Sequence, residues 1–253
     1  MMSLVRTPRP SAVFAAALDF VLPKACVSCE RPMDAGEPGV VCGRCWSRVR
    51  CLPHPQCDRC GHPHRAGTCR WCELLPPYVR AVRSWGWAPD STAGHIIHAL
   101  KYNGWRGAAA GMAERMGRLA WPRDVIEERS CVIPVPLHPA RERARGFNQS
   151  ELIAIALADR WHVPAWRDAL VRERDTTTQT RLTPGERRRN VSGCFRASLG
   201  AETRLRGAHV VLVDDVVTTA ATLNACAAAL CAAGARIVSY VTFGRARASG
   251  DVP

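Results

Sequence analysis

The sequence holds no apolar run approaching the length that spans a bilayer, which takes about 20 residues, so no membrane-spanning helix is expected. It is nearly without lysine: Lys24 and Lys101 are the only two, and arginine supplies the rest of the 35 basic residues. No low-complexity tract appears, which excludes a long compositionally disordered arm. No segment recognisably reads a base, so a sequence-specific DNA reader is not expected either. Between residues 23 and 77 apolar side chains are too few to build a core unaided, and something other than hydrophobic burial must fold that stretch.

Cysteine supplies it. Eight of the 13 cysteines fall in two quartets, Cys26, Cys29, Cys42 and Cys45, then Cys57, Cys60, Cys69 and Cys72. Each C-x2-C turn aims two sulfurs at one point, and two such turns close a tetrahedral zinc site with no open position. Two structural zinc ions are therefore expected, and their binding supplies the missing folding free energy. Sequential pairing is the simplest assignment; a cross-braced one, with each zinc taking one pair from either quartet, stays open. His54, His62 and His64 flank the second quartet and read as surface histidines. Cys226 and Cys231 read as small core residues of a helix near the C-terminus.

The formal net charge is +13, and two zinc sites of four thiolates each bring it to about +9. A surplus of this size favours an anionic partner, nucleic acid or phosphorylated substrate. The segment SAVFAAALDFVLP looks like a signal h-region, but Asp19 interrupts it and it runs straight into the cysteines. It reads instead as an amphipathic helix, so a cytoplasmic location is expected. Three units follow: a helix over residues 1–22, a double zinc ribbon over 23–77 and an α/β domain over 78–250, with Pro76-Pro77 at the second boundary.

The α/β domain carries the most specific signal. Residues 211–222, VLVDDVVTTAAT, run from a β-branched strand into two carboxylates, then hydroxyls, then a helix expected to run from about Thr222 to Ala233 and stop at Gly234. A buried parallel strand, a tight polar loop and a helix N-terminus form a cradle for phosphate. Loop N–H groups and the Thr218, Thr219 and Thr222 hydroxyls are placed to hold an anion, and Asp214 and Asp215 to accept bonds from vicinal sugar hydroxyls. Paired aspartates at a strand end also serve as metal ligands or phosphoacceptors, or simply solvate. The stretch resembles the phosphoribosyl-diphosphate (PRPP) signature of type I phosphoribosyltransferases. In that signature glycine usually stands where this chain has Ala220, and glycine alone takes positive φ without cost.

Upstream, CVIPVPLHPARERARGFNQ over residues 131–149 reads as a strand, a basic loop with Arg141, Arg143 and Arg145, and a capping-box start (Asn148, Glu151) to a helix. The arginines either face a diphosphate or solvate the loop. Residues 172–196 are polar, basic and poorly periodic, a hood over the site or a nucleic-acid-contacting arm, with Arg181 and Arg187 to Arg189 its densest charge. Trp85, Trp87 and Trp105 are candidates either for base stacking or for the core.

The order of the cysteine ribbons, HALKYNG, PVPLHPARERARGFNQS, TTTQTRLTPGERRRNVSGCF and VLVDDVVTTAATL resembles the ComF family of competence-associated proteins over about residues 15–247. The resemblance implies a type I phosphoribosyltransferase-like parallel sheet with helices on both faces, behind a small zinc-ribbon module. It implies that Asp214 and Asp215 contact ribose hydroxyls, or act catalytically if the protein turns over. Thr218, Thr219, Ala220, Ala221 and Thr222 would hold the 5′-phosphate, and the loop bearing Arg143 and Arg145 the diphosphate. Implied ligands are PRPP or a similar phosphosugar with Mg²⁺, and implied partners are single-stranded DNA and a competence helicase. Two functions follow: a ligand-regulated DNA-uptake protein, or an active phosphoribosyltransferase with an unknown acceptor.

Overall fold

The computed structural model describes residues 24–34, 36–64, 67, 69–88, 91–174, 191 and 193–247. The helix expected over 1–22 and the arginines at 181 and 187–189 lie outside them. Four strands, β1 (Val79–Trp87), β2 (Arg129–Pro134), β5 (His209–Val217) and β6 (Ile237–Arg245), form an all-parallel sheet in the order β1-β6-β5-β2. Two short strands, β3 (Leu170–Arg172) and β4 (Phe195–Ala197), pair antiparallel outside it. These two strands form a separate two-stranded sheet at the ends of the polar, basic stretch over 172–196. With three residues each, β3 and β4 add Leu170 and Phe195 to the core on the face of the sheet covered by the helix Ala221–Ala232.

Helices cover both faces, as the sequence implied. In β5, Val211 and Val213 enter one core while Val210 and Leu212 enter the other. A strand covered on both sides can be apolar at every position, which is why residues 210–213 read as a continuous run. One face carries α2 (Ser91–Tyr102), α3 (Ala108–Met116) and α6 (Gln149–Trp161). The other carries α7 (Glu202–Leu205) and α8 (Ala221–Ala232). Helix α1 (Gly43–Arg48) belongs to the ribbon, α4 (Arg123–Glu128) precedes β2, and α5 (Pro139–Arg145) occupies the basic loop. Asn148 caps α6, its side-chain oxygen accepting from the Ser150 N–H at 3.0 Å. The other half of the capping box is not made: Glu151 pairs with Arg167 instead.

The ribbon is built into the domain along an edge. Leu52 N–H donates to the Trp85 carbonyl at 3.3 Å and Trp87 N–H to the Arg50 carbonyl at 2.8 Å, with Cys51 bridging Gly86 antiparallel. Residues 50–52 therefore satisfy the outer edge of β1, which would otherwise present unpaired backbone. Gly86 permits the approach, since a Cβ there would lie 2.9 Å from Val49 Cγ1 and 3.0 Å from the Arg50 carbonyl oxygen. Trp46 packs edge-on against both Trp85 and Phe243, at 6.1 Å between centroids.

Candidate functional site

Each cysteine quartet gathers by itself. The sulfurs of Cys26, Cys29, Cys42 and Cys45 lie within 4.8 Å of one another, and so do those of Cys57, Cys60, Cys69 and Cys72. Pairing is sequential. The Sγ–Sγ separations of 3.9 Å for Cys29–Cys42, 3.5 Å for Cys57–Cys72 and 3.4 Å for Cys60–Cys69 exceed a disulfide's ~2.05 Å. They sit near the ~3.8 Å edge of a tetrahedron with Zn–S of ~2.3 Å, so both donor sets fit zinc. Burial acts to raise the Cys26 thiol, but backbone N–H groups of Cys42, Ser28 and Cys29 aimed at its sulfur bring it down to about 7. Cys57 is likewise about 7: burial is overcome by the N–H groups of Cys60 and Arg59. His54 is exposed and His64 half-buried, but His62 is buried, its ring 4.8 Å from Trp71 and 5.9 Å from Trp87. It is a packing residue rather than a surface one.

A cavity of about 500 Å³ opens at the C-terminal end of the sheet, where open parallel sheets place their ligands. Strand β5 delivers Asp214 and Asp215 into it, and α8 begins at its wall. Asp214 Oδ1 accepts from Ser150 Oγ at 2.8 Å and from the Asp215 N–H at 2.9 Å. Burial, followed by the neighbouring Asp215 charge, pushes its carboxyl up to about 7, against the opposing pull of Lys101 and Ser150. Asp215 is 3 % exposed. It is ion-paired with Lys101 Nζ and accepts from Gln149 Nε2 at 3.4 Å. Burial acts to lower the Lys101 ammonium, but Asp215 overrides it and the net shift is upward.

The loop after β5 has the conformation its resemblance implied. Ala220 stands at φ 57°, ψ 9°, in the left-handed region, which costs a non-glycine residue about 1–2 kcal/mol. No side chain caps α8, so the first N–H groups of a 12-residue helix remain for an incoming anion. Thr218, Ala220, Ala221 and Thr222 line the cavity with the two aspartates. Thr219 does not: it lines a smaller cavity of about 20 Å³ behind the loop, and its Oγ1 is buried without a hydrogen-bond partner among the described residues.

Of the basic-loop residues, Arg141 lines the large cavity and Arg143 and Arg145 do not. Arg143 is exposed; Arg145 bonds Gln149 and lies 5.4 Å over the Tyr102 ring. Trp87 is buried, and Trp85 stacks on Phe243 at 5.2 Å. Trp105 is 45 % and Tyr102 67 % exposed. Three participants were missed as site residues: Lys101, Gln149 and Ser150. Lysine's scarcity in an arginine-rich chain was the available signal for the first, since a position that keeps lysine here needs a compact ammonium.

The chain matches the family model of the double zinc ribbon domain over residues 17–74 and that of the phosphoribosyl transferase domain over residues 151–253. It is 34 % identical to the DNA utilization protein YhgH of Escherichia coli O157:H7, across 86 % of this chain and 95 % of that one. Competence protein F of Haemophilus influenzae is 26 % identical, covering 79 % and 87 %. Competence protein ComFC of Bacillus subtilis is also 26 % identical, covering 73 % and 75 %.

Proposed function

From the premise that this chain belongs to the ComF family, a double zinc ribbon followed by a phosphoribosyltransferase-type domain, we propose that it binds PRPP or a closely related phosphosugar while serving cytoplasmic DNA uptake or utilization. One observation carries the reading: a carboxylate pair, a left-handed loop residue and an uncapped helix N-terminus open into the same cavity. The 5′-phosphate sits on the N–H groups that begin α8 and on the hydroxyls of Thr218 and Thr222. Asp214 and Asp215 accept from the ribose hydroxyls. Arg141 faces the diphosphate, which Mg²⁺ accompanies. A phosphoryl group there meets backbone dipoles rather than lysine, which suits a chain whose one pocket lysine is already bound to Asp215.

The nucleic-acid half of the reading draws on the rim. Tyr102 and Trp105 are exposed, Arg145 lies 5.4 Å over the Tyr102 ring, and Arg106, next to Trp105 in the chain, lies 4.8 Å over the Phe147 ring. Exposed rings interleaved with guanidinium groups suit bases stacked along a single strand whose phosphates need neutralising. A helicase of the uptake apparatus is the protein partner we place with it. The alternative, a phosphoribosyltransferase that turns over, keeps the same pocket and adds an acceptor base.

Calorimetric titration with PRPP–Mg²⁺ and with single-stranded DNA, separately and together, tests this. Saturable PRPP binding lost in Asp214→Asn and Asp215→Asn is expected, by about ten- to a hundredfold per charge-assisted bond. No PRPP binding at millimolar concentration overturns the pocket reading. DNA affinity unchanged in Tyr102→Ala and Trp105→Ala overturns the rim reading. Turnover of PRPP with any nucleobase moves the protein to the alternative.

A further inference from the structure

The two zinc sites stand in different relations to the pocket. The second lies directly behind the loop that begins α8. Its 3-10 helix, Arg70–Leu74, carries Cys72, and two residues later the Leu74 carbonyl accepts from Asn224 Nδ2 at 2.7 Å. Asn224 belongs to the first turn of α8: its N–H donates to the Ala220 carbonyl at 2.8 Å, and its side-chain oxygen accepts from Tyr240 Oη at 3.0 Å. A second tie runs from the end of β6, where Arg245 Nη2 donates to the Cys60 carbonyl at 2.5 Å. Arg245 is the register partner of Val217, the last residue of β5 before the loop. Between the ties, the small cavity has Cys60, Trp71 and Leu74 for one wall and Thr218, Thr219 and Ala220 for the other.

The first site has none of this. Its Trp46 lies under the Arg115 guanidinium at 3.6 Å and against Gly111 on α3, the opposite face of the sheet. None of Cys26, Cys29, Cys42 and Cys45 lines either cavity.

The left-handed conformation at Ala220 makes the difference matter. A non-glycine residue persists there only when its surroundings over-determine it. Here those surroundings are the first turn of α8, fixed through Asn224 to the segment that closes the second zinc site. We infer that the second four-cysteine site is the mount of the anion-binding loop, so that zinc at Cys57, Cys60, Cys69 and Cys72 and an anion on residues 218–222 strengthen each other's binding, while zinc at the first site is indifferent to the anion. This rests on the phosphosugar reading of the loop given above. Linkage makes the coupling reciprocal, and couplings between sites are commonly fivefold or more.

The test is equilibrium competition of the zinc-loaded full chain with a chromogenic zinc chelator, with and without saturating PRPP–Mg²⁺, in the wild type and in Asn224→Ala. PRPP binding is followed in parallel by calorimetry, and folding by circular dichroism. The expected result is that PRPP raises zinc retention at one of the two sites about fivefold or more, and that Asn224→Ala, still folded, removes the increase and weakens PRPP by a similar factor. Cys29→Ser identifies the sites: the zinc that remains in that variant should be the responsive one. PRPP that binds without changing the retention of either zinc overturns this inference and leaves the pocket reading standing, as does Asn224→Ala with wild-type coupling. Wild-type protein that binds no PRPP overturns the pocket reading first.

Discussion

Lys101 Nζ is ion-paired with Asp215 across the floor of the cavity, joining α2 to the end of β5. The ammonium is three-quarters covered and the carboxylate almost wholly so. A pair in this position neutralises one of two adjacent acids before any ligand arrives. Lys101→Gln should remove that neutralisation, destabilise the fold by on the order of 2 kcal/mol and raise the Asp214 carboxyl further. Urea unfolding reads the first effect. PRPP titration at two Mg²⁺ concentrations reads the second: the variant should depend more steeply on Mg²⁺ than the wild type.

With the Asp214 carboxyl near 7, ligand recognition should depend on pH in a defined direction. The folded protein keeps the Asp214 proton between about pH 4 and 7, where the unfolded chain has released it. Stability from this group is present in acid and is lost as pH rises through 7. The ionised form, which accepts two hydroxyl hydrogen bonds, gains as stability falls. PRPP affinity should therefore increase from pH 6 to pH 8, and Ser150→Ala, which deletes a bond that favours the ionised form, should move the midpoint upward. Calorimetry across that range checks both.

His209 acts in the opposite sense. Its ring is 1 % exposed and bonded to Ser239 Oγ at 2.9 Å. Burial pulls it down to about 4, although Glu128, whose carboxylate lies 3.9 Å from Nδ1, opposes the shift. Its contribution to stability is complete above about pH 6.5 and is lost as pH falls toward 4, on the order of 3 kcal/mol in all. His209→Gln should flatten the acid limb of a stability–pH curve, even though it lowers stability at neutral pH.

Ala220→Gly should stabilise the chain by about 1 kcal/mol, because the left-handed conformation no longer carries a Cβ penalty. In a protein of this size that corresponds to about 2–4 °C in Tm. PRPP affinity should rise or hold. A fall in Tm would mean that the alanine methyl, buried at the loop, contributes more to packing than the backbone loses in strain.

Elemental analysis should give two zinc ions per chain. Cys26→Ser should release one of them and weaken the α/β core as well, since Trp46 of that ribbon packs on Trp85 and Phe243. Near-ultraviolet circular dichroism, which reports these rings, checks the second effect.

Periodicity and spacing made much of the architecture legible. The continuous apolar run of β5 implied burial on both faces, Gly234 at φ 105° follows α8 as its stop residue should, and the C-x2-C spacing foretold each sulfur cluster. The positive φ at residue 220 was legible through the resemblance, because glycine usually stands there in the signature and glycine takes that conformation without cost. What could not be read was what arrives from elsewhere in the chain. Lys101 reaches Asp215 from a helix more than a hundred residues earlier, and nothing in HALKYNG says where its ammonium points. The rotation of Thr219 away from the cavity depends on the wall behind it, which the second ribbon supplies. The pairing of residues 50–52 with β1 was hidden too, because a two-bond edge contact leaves no period in sequence.

That edge has a consequence during synthesis. The sheet neighbour of β1 is β6, with Val79 in register with Val238, and at 5–20 residues per second the ribosome needs roughly 8–30 s to deliver it. For that interval β1 is an apolar strand with no partner inside the sheet. The ribbon, already translated, can chelate its metal and lie along the other margin of β1 through residues 50–52. A nascent chain starved of zinc therefore exposes both margins of its first strand at once, the condition under which edge-to-edge pairing with other chains starts.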